Sequence, residues 1–210
     1  MMTLRQKNHV RLLRQKILIV KLQYVGDTMS VVPVVAALKR HAPGLTIDVL
    51  IHKECAELIT YHADIRKVWV YDREEAKRSF FSAISYHVPL IRKLRREKYD
   101  VVIALTQGDR PFFLSLASGA PLRLSYRIHS IVNRMMNAFA EGRTGRRHFI
   151  EVDVDVLTYF DIEDRDVQLM IPIPEDVRIR VRQRLALVKP TDSITVAIHP
   201  GARMKMRQWK

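Results

Sequence analysis

Short apolar runs alternate with segments of helical periodicity along the chain. The run at residues 17–20 is too short for a helix but fits a strand buried on both faces. From residue 29 to residue 38 the apolar positions recur at helical spacing, so a helix is predicted to follow that strand directly. Asp27 or Thr28 stands where the N-cap of this helix belongs.

The same alternation continues toward the C-terminus. Further strands are predicted at residues 46–51, 67–71, 100–105, 122–125, 167–171 and 193–198. Helices are predicted at residues 54–60, 74–98 with a bend at Pro89, 112–117, 149–160 and 175–187, with a strand-to-helix loop at 106–110. Strands that alternate with helices predict βαβ units, and therefore an α/β fold with a doubly wound parallel sheet.

Two stretches interrupt this order. Residues 128–147 combine a helix-like piece with a loop rich in Gly and Arg at 141–147. Pro172 and Pro174 then mark a domain boundary, which divides the chain into residues 1–172 and 173–210. The second part holds one helix, one strand and the loop after it, so we expect it to be only the beginning of a domain.

The charge balance favours an anionic partner. Thirty-six Lys and Arg against 22 Asp and Glu give a formal net charge of +14. A phosphorylated substrate, an acidic membrane surface and a nucleic acid all fit that charge. A basic module that binds anions or nucleic acid without catalysis is therefore an alternative function, although no helix-turn-helix, zinc-finger or RNP-like pattern is visible.

Other patterns bound the function further. The first turn lacks GxGxxG, which disfavours a nicotinamide dehydrogenase. Cys55 is the only cysteine, so an internal disulfide is excluded and a reducing cytoplasm is expected. The eight His show no zinc-ligand spacing with Cys or carboxylates. No apolar stretch approaches the ~20 residues that span a bilayer, so neither export nor a transmembrane segment is predicted.

Asp27 is the first candidate for chemistry. It lies where a buried strand turns into a helix, and ligands of open α/β sheets bind at the carboxyl ends of such strands. Helix N-termini at that edge also favour anions. From the residues alone, a role as a helix cap is the alternative for this carboxylate.

Four segments carry a resemblance to a known family. They are KLQYVGDTMSVVPVVAALK at 21–39, YDVVIALTQGDRPFFLSLASGAPLRLSY at 99–126, HFIEVDVDVLTYFDI at 148–162 and AIHPGARMKMRQWK at 197–210. In this order they resemble glycosyltransferase family 9, the bacterial lipopolysaccharide heptosyltransferases, and most closely the type that adds a side-branch heptose to the inner core.

The resemblance implies a GT-B architecture, with two Rossmann-like domains facing each other across a cleft. Residues 1–172 would be the complete acceptor-binding domain, and residues 173–210 the start of the nucleotide-sugar-binding domain. The carboxylate of the Gly-Asp turn is the family's proposed base, which assigns that role to Asp27. An inverting transfer needs one ionised carboxylate to take the acceptor's proton, and an aspartate is ionised near neutrality. No metal or other cofactor is implied.

The resemblance also implies the partners, a nucleotide-diphosphate heptose as donor and the lipopolysaccharide inner core as acceptor. Donor contacts are assigned to Gly201, Ala202 and Arg207, where the family commonly has Lys. A guanidinium also clamps phosphate, so this change is chemically tolerable. Acceptor contacts are assigned to Gly26, Thr106, Gln107, Arg143, Arg146 and Arg147. For the last three, a solvated loop is the alternative.

The basic helical region at 77–98 has an apolar side, a pattern that fits both an interfacial membrane helix and ordinary core packing. We expect core packing for most of its apolar residues. The implied location is cytoplasmic, peripheral at the inner membrane, with contact to its anionic surface and no nucleic-acid partner. Because the region for the nucleotide base and ribose is not among these residues, the chain by itself is expected to be inactive.

Overall fold

The computed structural model describes residues 15–77, 80–126, 131–140, 148–164, 166, 168–188, 196–198 and 201. Within them, six strands form one parallel sheet in the order β3-β2-β1-β4-β5-β6. The strands are β1 Lys16–Lys21, β2 Thr46–His52, β3 Lys67–Tyr71, β4 Val101–Ala104, β5 Leu122–Tyr126 and β6 Ala138–Ala140. In the register of the sheet, Ile17 of β1 lies between Ile47 and Val101.

Helices connect the strands. They are α1 Val25–Thr28, α2 Val31–His41, α3 Ala56–Ile59, α4 Phe80–Arg96, α5 Asp109–Ala117, α6 Phe149–Asp155 and α7 Glu175–Val188. Single 3₁₀ turns lie at Lys53–Cys55, Glu75–Lys77, Ile131–Met135 and Val156–Phe160.

Both faces of the sheet are buried. Ile17 and Ile19 of β1 lie in the cluster that α2, α3 and α6 cover, whereas Leu18 and Val20 lie in the cluster covered by α4 and α5. A parallel strand covered on both faces is a nearly continuous apolar run, as residues 17–20 of β1 are. The prediction of a doubly wound parallel sheet is confirmed.

The chain divides into two compact units, residues 1–172 and 173–210. The first holds the sheet and helices α1 to α6. In the second, α7 begins at Glu175 and none of its residues is buried. Gly201, a predicted donor contact, is an exposed residue of this unit.

Two strand predictions were wrong. Residues 168–171 form no strand, and Met170 is 72% exposed. The Asp166 and Gln168 backbone amides instead donate to the side chains of Asp164 and Asp166, local turns that compete with a sheet ladder. Of the predicted strand at 193–198, the structure describes residues 196–198, which are exposed and belong to no strand. Conversely, β6 falls within residues 128–147, where no strand was predicted.

The first helix prediction also needs correction, because neither Asp27 nor Thr28 is its N-cap. One turn, α1, already begins at Val25, and α2 begins after Ser30. Pro33 has no N–H to donate to the Met29 carbonyl, so a continuous helix from Val25 is interrupted and restarts there. Asp27 therefore lies inside a helical turn.

Two other helices differ in extent. Asp109 and Arg110, predicted in a loop, form the first turn of α5. Helix α4 is shorter than the predicted 74–98 and contains Pro89 in its interior; Lys98, two residues beyond its end, has a φ of 52°.

Core packing was expected for most apolar residues of α4; Leu94 is buried, whereas two others lie outside the core. Ile84 is 47% exposed and Val88 is 38% exposed. One face of α4 therefore presents apolar side chains to solvent.

Candidate functional site

The strand order changes direction between β1 and β4. Strands β2 and β3 lie on one side of β1, and β4, β5 and β6 lie on the other. In open α/β sheets a crevice forms at the carboxyl ends of the two strands at such a switch point, and ligands bind there. The segments that leave these two ends are the turn at residues 22–27 and the loop at 105–108.

Asp27 is a half-buried residue of α1 at this edge. Its backbone carbonyl accepts a hydrogen bond from the Ser30 amide at 3.3 Å, and Ser30 Oγ lies 2.8 Å from the same oxygen. Among the described residues, its carboxylate has no hydrogen-bond or ion-pair partner. Next to it, Gly26 is exposed, and a Cβ added there would meet no atom within 4 Å. A free carboxylate therefore lies beside open space.

A buried ion pair lies next to this turn. Lys21, the last residue of β1, pairs with Asp153 of α6, and the Asp153 carboxylate also accepts a hydrogen bond from Ser30. Burial raises the pKa of Asp153, an effect that Lys21 and Ser30 oppose and the nearby Asp27 charge reinforces. Because Ser30 bonds both Asp153 and the backbone of Asp27, this pair fixes the turn that carries the free carboxylate.

This pair was not predicted from the sequence. Its signal was a lysine at the end of an otherwise apolar strand, together with an acidic residue on the buried side of the helix that starts after His148. His148 is the N-cap of α6, and its Nδ1 accepts from the Ile150 amide at 3.4 Å. The sequence offered no way to pair positions 132 residues apart.

The loop after β4 supplies the other side of the switch point. The ladder between β1 and β4 continues to Leu105, whose amide donates to the Val20 carbonyl at 3.0 Å. Thr106 then follows, 8% exposed, and its hydroxyl oxygen is buried without a hydrogen-bond partner. Gln107 is exposed. The structure therefore places Thr106 and Gln107 at the same edge of the sheet as Asp27.

Gly108 lets this loop enter α5. Its φ of 128° and ψ of 177° lie in a region that essentially only glycine adopts. No atom would contact an added Cβ. The backbone conformation, rather than crowding, is thus the reason for glycine at this position.

A second group of side chains lies at the carboxyl ends of β2 and β3. His52 ends β2, Tyr71 ends β3, and their ring centroids are 5.7 Å apart. Tyr86 and His87 of α4 pack against Tyr71 from the other side at 5.6 and 5.8 Å. The Arg110 guanidinium lies 5.7 Å from the centroid of the Tyr71 ring.

Several predicted site residues lie outside the described residues, namely Arg143, Arg146, Arg147, Ala202 and Arg207. Their assignments stay predictions. In the described part of the chain, no group of three or more His, Cys, Asp or Glu side chains converges in a way that would hold a metal ion.

The sequence of this chain is similar to those of two curated heptosyltransferases. The chain is 26% identical over 192 residues to lipopolysaccharide heptosyltransferase 3 of Escherichia coli strain K12, covering 90% of this chain and 54% of that protein. A second Escherichia coli lipopolysaccharide heptosyltransferase 3 is 25% identical, with 90% and 55% covered. The resemblance to the lipopolysaccharide heptosyltransferases is confirmed. The chain spans about half the length of the curated heptosyltransferases it matches. No protein-family model matches it.

Solved structures of heptosyltransferases and their relatives share the fold. The glycosyl transferase family 9 protein from Veillonella parvula DSM 2008 superposes with a TM-score of 0.82 at 21% identity, covering 97% of this chain and 58% of that one. E. coli heptosyltransferase WaaC with ADP gives a TM-score of 0.68 at 16% identity, with 93% and 61% covered. The predicted GT-B fold class is confirmed by these neighbours.

Proposed function

We propose that this chain carries the acceptor-binding domain and the base of an inverting heptosyltransferase, which transfers heptose from a nucleotide-diphosphate heptose to the lipopolysaccharide inner core. The observation that carries the proposal is the Asp27 carboxylate, half-buried and unpartnered within the described residues, at the switch point of a sheet shared with heptosyltransferases. A carboxylate without such a partner is able to accept a proton or a hydrogen bond from a bound ligand.

The chemistry needs such a group. The Asp27 carboxylate takes the proton of the acceptor hydroxyl while that oxygen attacks the anomeric carbon of the donor heptose. The bond between that carbon and the diphosphate breaks on the opposite face, so the configuration inverts. A positioned base typically contributes about 10² to 10⁴-fold to the rate of such a step. The buried pair of Lys21 and Asp153 holds the turn in place without neutralising the base.

The acceptor would bind across the switch point. Gly26 leaves open space beside the base, and the buried hydroxyl of Thr106 has no partner within the described residues. Gln107 is exposed at the same edge and offers both a donor and an acceptor. These groups fit a polyhydroxylated sugar, which supplies hydrogen bonds of both kinds.

For the donor, we propose contacts from Gly201, Ala202 and Arg207 to the diphosphate, on the strength of the sequence resemblance. Solved structures of E. coli heptosyltransferase WaaC with ADP and with ADP-2-deoxy-2-fluoro heptose support a nucleotide-diphosphate heptose as the donor class. A guanidinium at Arg207 would bind two phosphate oxygens at once, which suits a diphosphate leaving group.

We further propose that the protein works in the cytoplasm as a peripheral protein of the inner membrane, where its lipid-linked acceptor lies. No helix in the described part of the chain combines the length and apolar character needed to span a bilayer. Helix α4 exposes Ile84 and Val88, and its C-terminal half exposes Arg92, Lys93 and Arg96. Apolar side chains beside a basic cluster suit contact with an anionic lipid surface.

A transfer assay tests the proposal. The chain would be fused to the C-terminal portion of Escherichia coli lipopolysaccharide heptosyltransferase 3 and given a nucleotide-diphosphate heptose with core lipopolysaccharide that lacks the side-branch heptose. We expect one heptose to be added with inverted anomeric configuration, detected by mass spectrometry and NMR. A folded fusion that binds both substrates without transferring sugar would contradict the proposal. Salt-sensitive retention of DNA with no affinity for the core would instead support the nucleic-acid alternative.

A further inference from the structure

The group of side chains at the ends of β2 and β3 holds cationic charge that no described carboxylate neutralises. Arg73 and Arg110 are half-buried, and neither forms an ion pair or a hydrogen bond within the described residues. Other half-buried cations have partners: Lys16 and Lys67 bind Glu97, and the Arg123 guanidinium donates to the carbonyls of Met135 and Ala120. Arg73 and Arg110 differ from them in having none within the described residues.

The charges of Arg73 and Arg110 both act on His52. It is 6% exposed, and its Nδ1 is buried without a hydrogen-bond partner. Burial lowers the pKa of His52, and the Arg73 and Arg110 charges lower it further, against the opposing effects of Glu54 and of a hydrogen bond to the Tyr71 backbone. A neutral imidazole has one N–H, which the Tyr71 backbone engages, so the donors that this group offers to an anion are the two guanidiniums.

The Tyr71 ring provides a fixed platform for Arg110. His87 Nδ1 lies 2.7 Å from the Ala83 carbonyl oxygen, so this nitrogen carries the proton and donates. On its other side, His87 Nε2 is hydrogen-bonded to the Tyr71 hydroxyl at 3.1 Å. With its hydroxyl engaged and its ring flanked by Tyr86, Tyr71 holds the guanidinium through a cation–π contact.

Neighbouring acids do not fill this role. The Asp72 carboxylate is engaged by Lys53 at 3.0 Å and by the backbone amides of Glu74 and Glu75. Arg110 also stands in the first turn of α5, where the helix dipole is positive and disfavours a cation. An anion from outside the described residues would relieve both effects.

We propose that Arg73 and Arg110, beside His52, form a binding site for the phosphate group of a ligand, separate from the free carboxylate at the end of β1. Each guanidinium carries five N–H donors and can bind two oxygens of a tetrahedral phosphate at once. The inference does not depend on the proposed transferase, because it concerns only the binding of a phosphate. The source is either a free phosphate ion or a phosphate borne by a sugar.

The test is a titration of the full 210-residue chain with inorganic phosphate, and in parallel with glucose 6-phosphate, at constant ionic strength set with chloride. The ring nitrogens of His52, assigned with the His52→Asn variant, are followed by ¹⁵N NMR. We expect a saturable shift with both probes. Tighter binding of the ester identifies a sugar-borne phosphate, whereas equal affinity identifies recognition of the phosphate group alone.

Three variants separate this site from general attraction to a basic protein. Arg110→Gln should weaken phosphate binding by about tenfold or more, while Lys98→Gln, which removes the same charge from an exposed position before β4, should change it by less than about twofold. Arg110→Lys should bind with intermediate affinity, and it serves as the folded variant should Arg110→Gln fail to fold. Equal weakening by Lys98→Gln, or the absence of a saturable His52 shift, would overturn the proposal.

Discussion

Polar side chains differ between the amino ends of the strands, here the amino edge of the sheet, and the carboxyl ends, here the carboxyl edge. At the amino edge, buried Asp48 accepts from the Arg66 guanidinium and from the Tyr99 hydroxyl, and Glu97 binds Lys16, Arg66 and Lys67. At the carboxyl edge, the described residues leave Asp27, Thr106 and Arg110 without such partners. The amino edge leaves the buried Gln15 Oε1 without a partner, whereas the carboxyl edge leaves His52 Nδ1 and the Thr106 hydroxyl in addition to the Asp27 and Arg110 charges. Because an unpaired buried polar group costs free energy, this concentration marks the carboxyl edge as the one prepared for ligands.

The amino edge also shows what full pairing does to ionisation. Hydrogen bonds from Lys16, which has the larger effect, and from Arg66 lower the pKa of Glu97 to about 2. Burial, with the Asp48 carboxylate beside it, raises the pKa of the Tyr99 hydroxyl. Trp69 completes the network by donating its Nε1–H to the Tyr99 oxygen at 2.7 Å. Each group is held in the one protonation state that its neighbours require, which suits stability and not chemistry.

The largest effect on stability is expected from the amino edge. Asp48→Ala would leave the Tyr99 hydroxyl and part of the Arg66 guanidinium without an acceptor, so the free energy of unfolding should fall by about 3 to 5 kcal/mol. Urea unfolding followed by circular dichroism measures the change. Asp48→Asn, which keeps an acceptor for Tyr99, should lose less. A loss below about 1 kcal/mol for the alanine variant would remove the contrast between the edges.

A second prediction uses pH. Since the pKa of Glu97 is depressed from 4.5 to about 2, its stabilising contribution is present above pH 4.5 and is lost as the pH falls toward 2. Glu97→Gln should therefore lower the free energy of unfolding by about 1 to 3 kcal/mol at pH 7. The difference between variant and parent should shrink between pH 4.5 and 2. A difference that is constant over that range would show that the carboxylate is not held by its three cations.

The two glycines at the carboxyl edge give a third prediction. Gly108→Ala places a Cβ on a backbone with a φ of 128° and should cost about 1 to 3 kcal/mol. Gly26→Ala is the matched control, because Gly26 lies in a helical turn with open space around it; it should change stability by less than about 1 kcal/mol, in the stabilising direction. Thermal unfolding of both variants compares them directly, and equal losses would contradict the backbone explanation.

The smallest effect is expected for a hydroxyl without a partner. Thr106→Val removes an oxygen that makes no hydrogen bond, so it should be neutral or stabilise by less than about 1 kcal/mol. Ser125→Ala is the counterpart, since the Ser125 hydroxyl donates to the Ala104 carbonyl at 2.8 Å and its loss should cost about 0.5 to 1.5 kcal/mol. A clear destabilisation by Thr106→Val would mean that its hydroxyl is already satisfied.

The fold could be predicted from the sequence because its signals are local. Each central strand is a short apolar run, and each is followed by a segment of helical periodicity. β6 escaped prediction because it has only three residues, Ala138–Ala140, which pair with β5 at the end of the sheet. Residues 168–171 were misread because apolar side chains there are exposed, and Asp side chains take the backbone amides instead.

The candidate site was predictable only in part, for the same reason. Asp27, Thr106 and Gln107 directly follow predicted strands, so the topology of a parallel sheet places them at one edge. The pairing of Lys21 with Asp153 depends on where α6 packs, which no local pattern encodes. The phosphate site draws His52, Arg73 and Arg110 from three separate segments, and only the fold brings them together.

The most direct test of the account is the single-turnover rate of heptose transfer by the fusion with the C-terminal portion of heptosyltransferase 3, measured for Asp27→Asn. Glu163→Gln is the matched control, because it neutralises an exposed carboxylate near Asp164, the partner of Arg40 at the end of α2. We predict that Asp27→Asn leaves folding and acceptor affinity unchanged and lowers the rate by about 10² to 10⁴-fold, while Glu163→Gln stays within about twofold of the parent. A rate for Asp27→Asn within tenfold of the parent would contradict the assignment of the free carboxylate as the base.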